Sequence, residues 1–490
     1  MNETFLIIAV VFPIVTAVFI PLIPFRKRAH MEVYIEAVVL LTSALVLLLL
    51  FNRPGELVLL QFSEKVSFAL KIDGMSMVFA GLVSVLWPIA TLYSFEYMST
   101  EEREQPFFMF YTMTYGVTLG IAFSANIVSM YFFYEMLTLV TIPLVLHTFT
   151  REAVLATRKY IYFSIGGAAL GFMGLVFLVR CGGPGGFTLG GILQGHTAGL
   201  GMDLVLLLYV VAFLGFSIKA AMFPFYSWLP DAGVAPTPVT ALLHAVAVVK
   251  AGAFAVIRLT YYCFGTELLR GTWAQNVVMA LAMFTVVFGC SMGVKETHMK
   301  RRLAFSTVSN LSYIIFGATI MTPAGLLGAL CHMVFHAVMK ISAFFCAGSI
   351  MHQTHKHYIY EMDGFGRKMP WVYGAFTVSA IGMMGVPGGC GFISKWYLAK
   401  GALESGNHLA WIGVGCLLVS ALLTAIYMMT IVVRGFFPEK GFDEKALAGV
   451  KDPSWQMVLP LLLFSLAIIG FGLYSTPLTD FLAKVVTGVY

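Results

Sequence analysis

Residues 215–238 read GFSIKAAMFPFYSWLPDAGVAPTP, an apolar run that carries Lys219 and prolines at 224, 230, 236 and 238. Proline lacks the backbone donor and clashes with the preceding turn, so an unbroken helix cannot pass through this stretch. A second run, GVPGGCGFISKWYLAK at 385–400, repeats the arrangement, with Pro387-Gly388-Gly389 ahead of Lys395. Backbone groups freed by such breaks cannot face lipid and are tolerated where protein or water takes over. Interrupted spans in two halves of one chain are the sequence sign of an inverted repeat with its site near the bilayer midplane.

The rest of the chain supplies the bilayer context. Of 490 residues 59% are hydrophobic and 11% charged, with a mean hydropathy of +0.87, well outside the range of soluble domains. Apolar stretches of about 18 to 25 residues recur along the whole length, each able to cross a hydrocarbon core of about 30 Å as a helix. The expected fold is an all-α membrane protein of about fourteen transmembrane helices, with helices 7 and 12 broken. The starts fall near Phe5, Val33, Met75, Phe107, Ile127, Arg158, Leu204, Thr237, Trp273, Leu303, Gly325, Trp371, Leu409 and Met457. The first run has an acidic start at Glu3 and the basic cluster Arg26-Lys27-Arg28 behind it, which marks a retained span rather than a signal peptide. Residues 56–71, ELVLLQFSEKVSFALK, alternate polar and apolar side chains and predict a two-stranded hairpin.

Thirty Lys and Arg against 24 Asp and Glu give a net charge of +6, spread over the connections. There is no lysine-rich tail and no interleaving of basic and aromatic residues, so no nucleic-acid partner is expected. Odd-numbered connections hold eighteen basic residues, Lys440 and Lys445 among them, and even-numbered ones six. That asymmetry puts the odd connections in the cytoplasm and both termini on the extracytoplasmic side of the cell inner (plasma) membrane. The seven cysteines show no C-x-x-C pair or ligand-like spacing, so no metal, iron–sulfur centre or other cofactor is expected.

Five basic residues remain inside spans: Lys219, Lys250, Arg258, Lys340 and Lys395. A charge at mid-bilayer costs roughly 2.5–3.5 kcal/mol even on the lenient scale, so such groups belong in a polar interior. Arg258, near a span end, is expected to snorkel. Glu135, in YFFYEMLTLVTIPL, is the only carboxylate placed well inside a span, and Lys219 is its expected partner. In CHMVFHAVMKISAFF (331–345), His332, His336 and Lys340 stand at i, i+4 and i+8, on one side of a helix over roughly 12 Å of rise. Histidine titrates near neutrality and a desolvated lysine can release its proton there, so the stripe can pass protons without a metal. His244 and Lys250, six residues apart, project in different directions and suit linking neighbours on two sides of their helix. The expected proton-transfer axis is Glu135, Lys219, His244, Lys250, His332, His336, Lys340 and Lys395.

At these residues the sequence resembles the antiporter-like family of proton-translocating membrane subunits found in respiratory complex I (subunits L, M and N), membrane-bound hydrogenases and multisubunit Mrp-type Na+/H+ antiporters. The carrying motifs are FSIKAAMFPFYSWLPDAGVAPTPVTALLHAVAVVKAG, HMVFHAVMKISAFFCAGSI, GVPGGCGFISKW and the weaker YEMLTLVTIPL. The resemblance implies two inverted five-helix repeats. Residues 1–106 would hold helices 1–3 and a periplasmic-side hairpin, 107–260 the first repeat (helices 4–8), 261–440 the second (helices 9–13) and 441–490 helix 14. It also implies that Glu135 and Lys219 are the family's coupled pair, Lys250 the central lysine with His244 beside it, His332, His336 and Lys340 the relay of helix 11, and Lys395 the terminal group. A lysine at 395 differs from the glutamate of M-type subunits. The wording of helices 8 and 11 is closer to L or Mrp A, while the length suits membrane-bound hydrogenase and Mrp D subunits.

The expected function is proton translocation within a multisubunit energy-converting complex, with no redox chemistry in this chain. Expected partners are other membrane subunits, membrane lipid and, among the candidates, a peripheral redox arm. The alternatives are a subunit that carries Na+ itself, for which one interior carboxylate is a sparse ligand set, and a haem- or quinone-binding redox subunit. Against the latter, no two histidines stand thirteen or fourteen apart within one span.

Overall fold

The structure, a computed structural model, describes residues 2–182, 186–193, 199–438, 442 and 447–489. Eleven of its helices, among the described residues, are long and apolar enough to cross a membrane, which makes this a multi-pass membrane protein. The helices Thr4–Phe19 and Met202–Ser217 are shorter, and the run expected near Trp371 is split into Pro370–Met384 and Cys390–Glu404. Lys440 and Lys445, counted among the basic residues of the connections, lie outside the described residues. Side-chain caps set several helix starts: Asp73, Asn126, Thr150, Thr272 and Thr322 each accept a hydrogen bond from a backbone N–H of the first turn.

The expected hairpin is present as β1 (Leu57–Ser63) and β2 (Val66–Leu70), paired antiparallel. β2 continues into the bundle: Lys71 N–H donates to Phe123 O and Ala125 N–H to Ala69 O, so the hairpin is fastened to the ends of two helices.

Three segments form the centre. The most apolar windows of Thr237–Phe264, Met299–Ile320 and Pro323–Thr354 are buried over their full length, whereas those of Arg28–Asn52, His408–Phe436 and Trp455–Leu473 are less than half buried. A helix that is apolar all round belongs in such a core, and here the polar residues it carries have only protein for company. Small residues bring neighbours close. A Cβ at Gly215 would stand 2.4 Å from Gly171 N and 2.8 Å from Gly167 O, so the helix leading to Lys219 lies directly on the backbone of Arg151–Cys181.

The segment with His244 and Lys250 is not one rod. Thr237–Ala245 ends at Val246, Val248–Ile257 begins after Ala247, and both Val246 N–H and Ala247 N–H turn to Leu242 O. A π-helical turn, Arg258–Phe264, follows. Neither break has a proline or glycine to announce it.

Arg258 departs from expectation. It does not snorkel; it is fully buried and bidentate to Asp73, at 2.5 and 2.7 Å, with its guanidinium 4.6–5.0 Å from the rings of Tyr262, Phe187 and Phe254. The π turn aims the side chain inward at the cap of the Gly74–Met98 helix. Arg258→Met should destabilise the protein by about 3–5 kcal/mol, because it leaves the Asp73 carboxylate without its counter-charge. Thermal unfolding in detergent reads this, and Arg258→Met combined with Asp73→Leu should recover most of the loss.

Candidate functional site

Glu135 sits on the Ile127–Val145 helix, and Lys219 in the irregular segment just beyond Met202–Ser217. There the chain turns through Ala221 at φ +54, and Trp228 Nε1 donates to Ile218 O, satisfying a carbonyl freed by the break. Lys219 Nζ is 3.8 Å from Glu135 Oε1, donates to Tyr134 O and stands 3.4 Å from the Tyr134 ring centroid. The pair is loose: Glu135 Oε1 makes no hydrogen bond, and its side chain is 29% exposed against 2% for Lys219.

Behind Lys219 lies the segment of Lys250, with Gly252 at the contact. A Cβ at 252 would meet Ala220 N at 2.5 Å and Lys219 Cβ at 3.1 Å. Gly252→Val should therefore displace Lys219 and lower transport about a hundredfold, as angstrom-scale misplacement of a reacting group can. The same change at Gly233, where nothing lies within 4 Å, should be tolerated.

Lys250 Nζ and His336 Nδ1 are 2.6 Å apart, and both side chains are fully buried. At that distance one nitrogen must donate and the other accept, so the two cannot both be fully protonated and the contact is a seat for one proton. The His336 and His332 rings stack at 5.8 Å and 21°, and His336 Nε2 has no hydrogen-bond partner. His332 is held on both nitrogens, Nδ1 to Ser394 Oγ at 2.9 Å and Nε2 to Asn310 Oδ1 at 3.2 Å. Ser394 is the neighbour of Lys395, whose Nζ donates to Met383 O and Met384 O, each at 2.9 Å. These carbonyls end the Pro370–Met384 half-helix, where the backbone dipoles favour a cation. The Tyr313 ring lies between, 5.0 Å from His332 and 5.3 Å from Lys395 Nζ.

Six of the eight expected residues thus fall into two groups, the Glu135–Lys219 pair and the row Lys250, His336, His332 and Lys395, whose backbones meet at Gly252. The other two make no hydrogen bond to these six. Lys340 makes no hydrogen bond to the histidines on its own helix and donates to Ser306 Oγ and to Leu303 O on Met299–Ile320. His244 packs against Phe344 at 4.9 Å and is fully buried. Sequence reasoning missed Asn310, Ser394, Tyr313 and Tyr134; the signal for Asn310 was an amide inside an otherwise apolar span. It also missed Glu36. That carboxylate lies inside the Arg28–Asn52 helix with Oε2 buried and unpartnered, so Glu135 is not the only acid within a span. Among the described residues no three His, Cys, Asp or Glu side chains gather to hold a metal ion.

The family model described as NADH:quinone oxidoreductase/Mrp antiporter, TM, matches residues 124–424. The chain belongs to this family. A second model, NADH-ubiquinone oxidoreductase (complex I) chain 5 N-terminus, matches residues 60–108 of this antiporter-like chain. NADH-quinone oxidoreductase subunit N of Desulforudis audaxviator is 29% identical over 407 residues, covering 80% of this chain and 79% of that protein. The Na(+)/H(+) antiporter A subunit of Alkalihalophilus pseudofirmus is 30% identical over 441 residues, covering 84% of this chain but 53% of the relative. The chain thus spans about half the length of that antiporter relative. In fold it is similar to a chain of the archaeal membrane-bound sulfane sulfur reductase (TM-score 0.85, 22% identity, 98% of this chain and 97% of that one). A chain of the Mrp complex from Dietzia sp. gives a TM-score of 0.83 at 20% identity, covering 99% and 98%. Both neighbours are chains of membrane complexes.

Proposed function

We propose that this chain translocates protons within a multisubunit energy-converting membrane complex. The observation that carries the reading is the 2.6 Å contact between Lys250 and His336 in the core of the bundle, where a single proton has two nitrogens to occupy. A proton enters from the cytoplasmic side near Lys219, moves by way of Lys250, His336 and His332 to Lys395, and leaves on the far side. Weakening the Glu135–Lys219 pair releases the proton forward, and restoring it reloads the site. A change of one pKa unit is worth about 1.36 kcal/mol, so a loose pair at 3.8 Å is within reach of modest rearrangements.

The proposal includes fourteen spans, the short Thr4–Phe19 and Met202–Ser217 helices and the split 370–404 run completing the eleven, arranged as two inverted repeats over 107–260 and 261–440. Both termini face away from the cytoplasm across the plasma membrane. Other membrane subunits supply the energy, since none of the residues in the line is a redox centre. The name of the Alkalihalophilus relative supports a second reading, in which this chain itself carries Na+. The test is transport by the assembled complex in proteoliposomes. Acidification without added Na+ supports proton translocation; strict dependence on Na+ with uptake of labelled sodium by this chain replaces it with the second reading.

A further inference from the structure

Lys340 has no hydrogen bond to the histidines it was expected to join, yet it is not isolated. From Ser306 a cluster of buried hydroxyls and one thiol leads across three helices, Trp273–Lys295, Met299–Ile320 and His408–Phe436. Tyr427 lies beside Ser306 and donates its hydroxyl to Thr424 Oγ1 at 3.2 Å. Thr424 Oγ1 is 3.5 Å from Cys290 Sγ, and Cys290 Sγ is 3.0 Å from both Ser309 Oγ and Ser420 Oγ, which are 3.3 Å from each other. Ser420 lies beside the buried Tyr313 hydroxyl. Tyr313 in turn leans on His332 and Lys395. All of these side chains except Lys395 are at most 1% exposed. The cluster therefore runs from Lys340 to Tyr313, whose ring centroid lies 5.3 Å from Lys395 Nζ.

We propose that this Cys290-centred cluster is a second proton path, which exchanges protons between Lys340 and Lys395 without passing through His336 and His332. Each hydroxyl, and the thiol, has both a proton to give and lone pairs to receive one. A proton leaving the Lys340 ammonium bonds to the first oxygen, that group passes its own proton to the next, and the last reaches the Lys395 amine. Every intermediate group ends with as many protons as it began, so the step needs no oxidant or co-reactant. The cluster lies in the second repeat, and Lys340 serves through it rather than through its own helix face. Common structural roles for such residues, back-bonding within a helix and gluing helices together, account for Ser306, Ser309 and Thr424 one at a time. They do not account for a connected run of them that begins at a buried amine and ends at a tyrosine packed against His332 and Lys395.

The inference rests on the proton-translocation reading and is tested in the assembled complex in proteoliposomes, with rates per assembled complex. Cys290→Ala should slow proton translocation about tenfold, and Cys290→Ser, which keeps a donor and acceptor, should restore it to within about twofold of wild type. Because Lys340 acts through the cluster, Lys340→Ala with Cys290→Ala should be no slower than Lys340→Ala alone. Ser420→Ala with Thr424→Val should reproduce the Cys290→Ala rate by a route that spares the thiol. A wild-type rate for Cys290→Ala, an additive double variant, or a Cys290→Ser as slow and as thermally unstable as Cys290→Ala overturns the proposal. Lys219→Ala separates the two ideas. If it stops transport while Cys290→Ala does not slow it, only the second path fails; if it too runs at full rate, proton translocation fails with it.

Discussion

Lys250→Arg is expected to stop proton translocation as completely as Lys250→Met, by at least about a hundredfold, the lower end of what a positioned proton-transferring group contributes. The two changes differ in charge and agree in outcome. Methionine removes the nitrogen that shares a proton with His336 at 2.6 Å. Arginine keeps a cation of similar reach, but a guanidinium is always protonated and has no lone pair to receive a proton, so it can hold the position without passing anything on. An electrostatic or packing role predicts the opposite, a rescue by arginine. His336→Gln completes the comparison: its amide can bond Lys250 yet cannot carry the proton away, and transport should fall by less than for Lys250→Arg, to what the Cys290-centred route sustains. Proton uptake by complexes in proteoliposomes, normalised to assembled protein, decides between these outcomes.

The second large effect concerns the loose pair at the other end of the line. Lys219→Ala should abolish translocation, and Glu135→Gln should reduce it by about a hundredfold. At 3.8 Å two opposite unit charges attract by about 4 kcal/mol at an effective dielectric of 20. Without Lys219 nothing in the pair can bind and release a proton toward Lys250. Without the Glu135 charge Lys219 keeps the Tyr134 ring and carbonyl, neither of which can switch on and off. Glu135→Asp, shorter by one methylene, should fall between wild type and Glu135→Gln, since the pair survives at a longer distance. Equal and unaltered rates for all of these variants would remove Lys219 from the path.

Much of this was readable in the sequence because it follows from covalent chemistry. Apolar runs marked the helices, Pro224 and Pro387-Gly388-Gly389 marked two breaks, and alternation marked β1 and β2. The interior charges could be found because lipid tolerates them so poorly. What could not be read depends on distances between helices. The interruption at Val246–Ala247 carries no breaker residue, and the inward aim of Arg258 follows from a π turn whose sequence, RLTYYCF, looks like any apolar helix end. Helical periodicity set Lys340 in line with His332 and His336, yet its long flexible stem carries the nitrogen to Ser306. The partners of His332, Ser394 and Asn310, belong to two other helices, and no spacing along the chain pairs them.

Of the six residues on the proposed path, the four in the middle are sealed from the surroundings, while Glu135 and Lys395 both keep part of their surface at the periphery. A line closed in the middle and accessible at its tips can be addressed from outside without being entered. An adjoining chain that laid an aliphatic side chain over Glu135 would strip its hydration and tighten its hold on Lys219. One that offered a cation would compete with Lys219 and loosen it. The terminal groups are thus where a neighbour's movement could be written into the occupancy of the whole row.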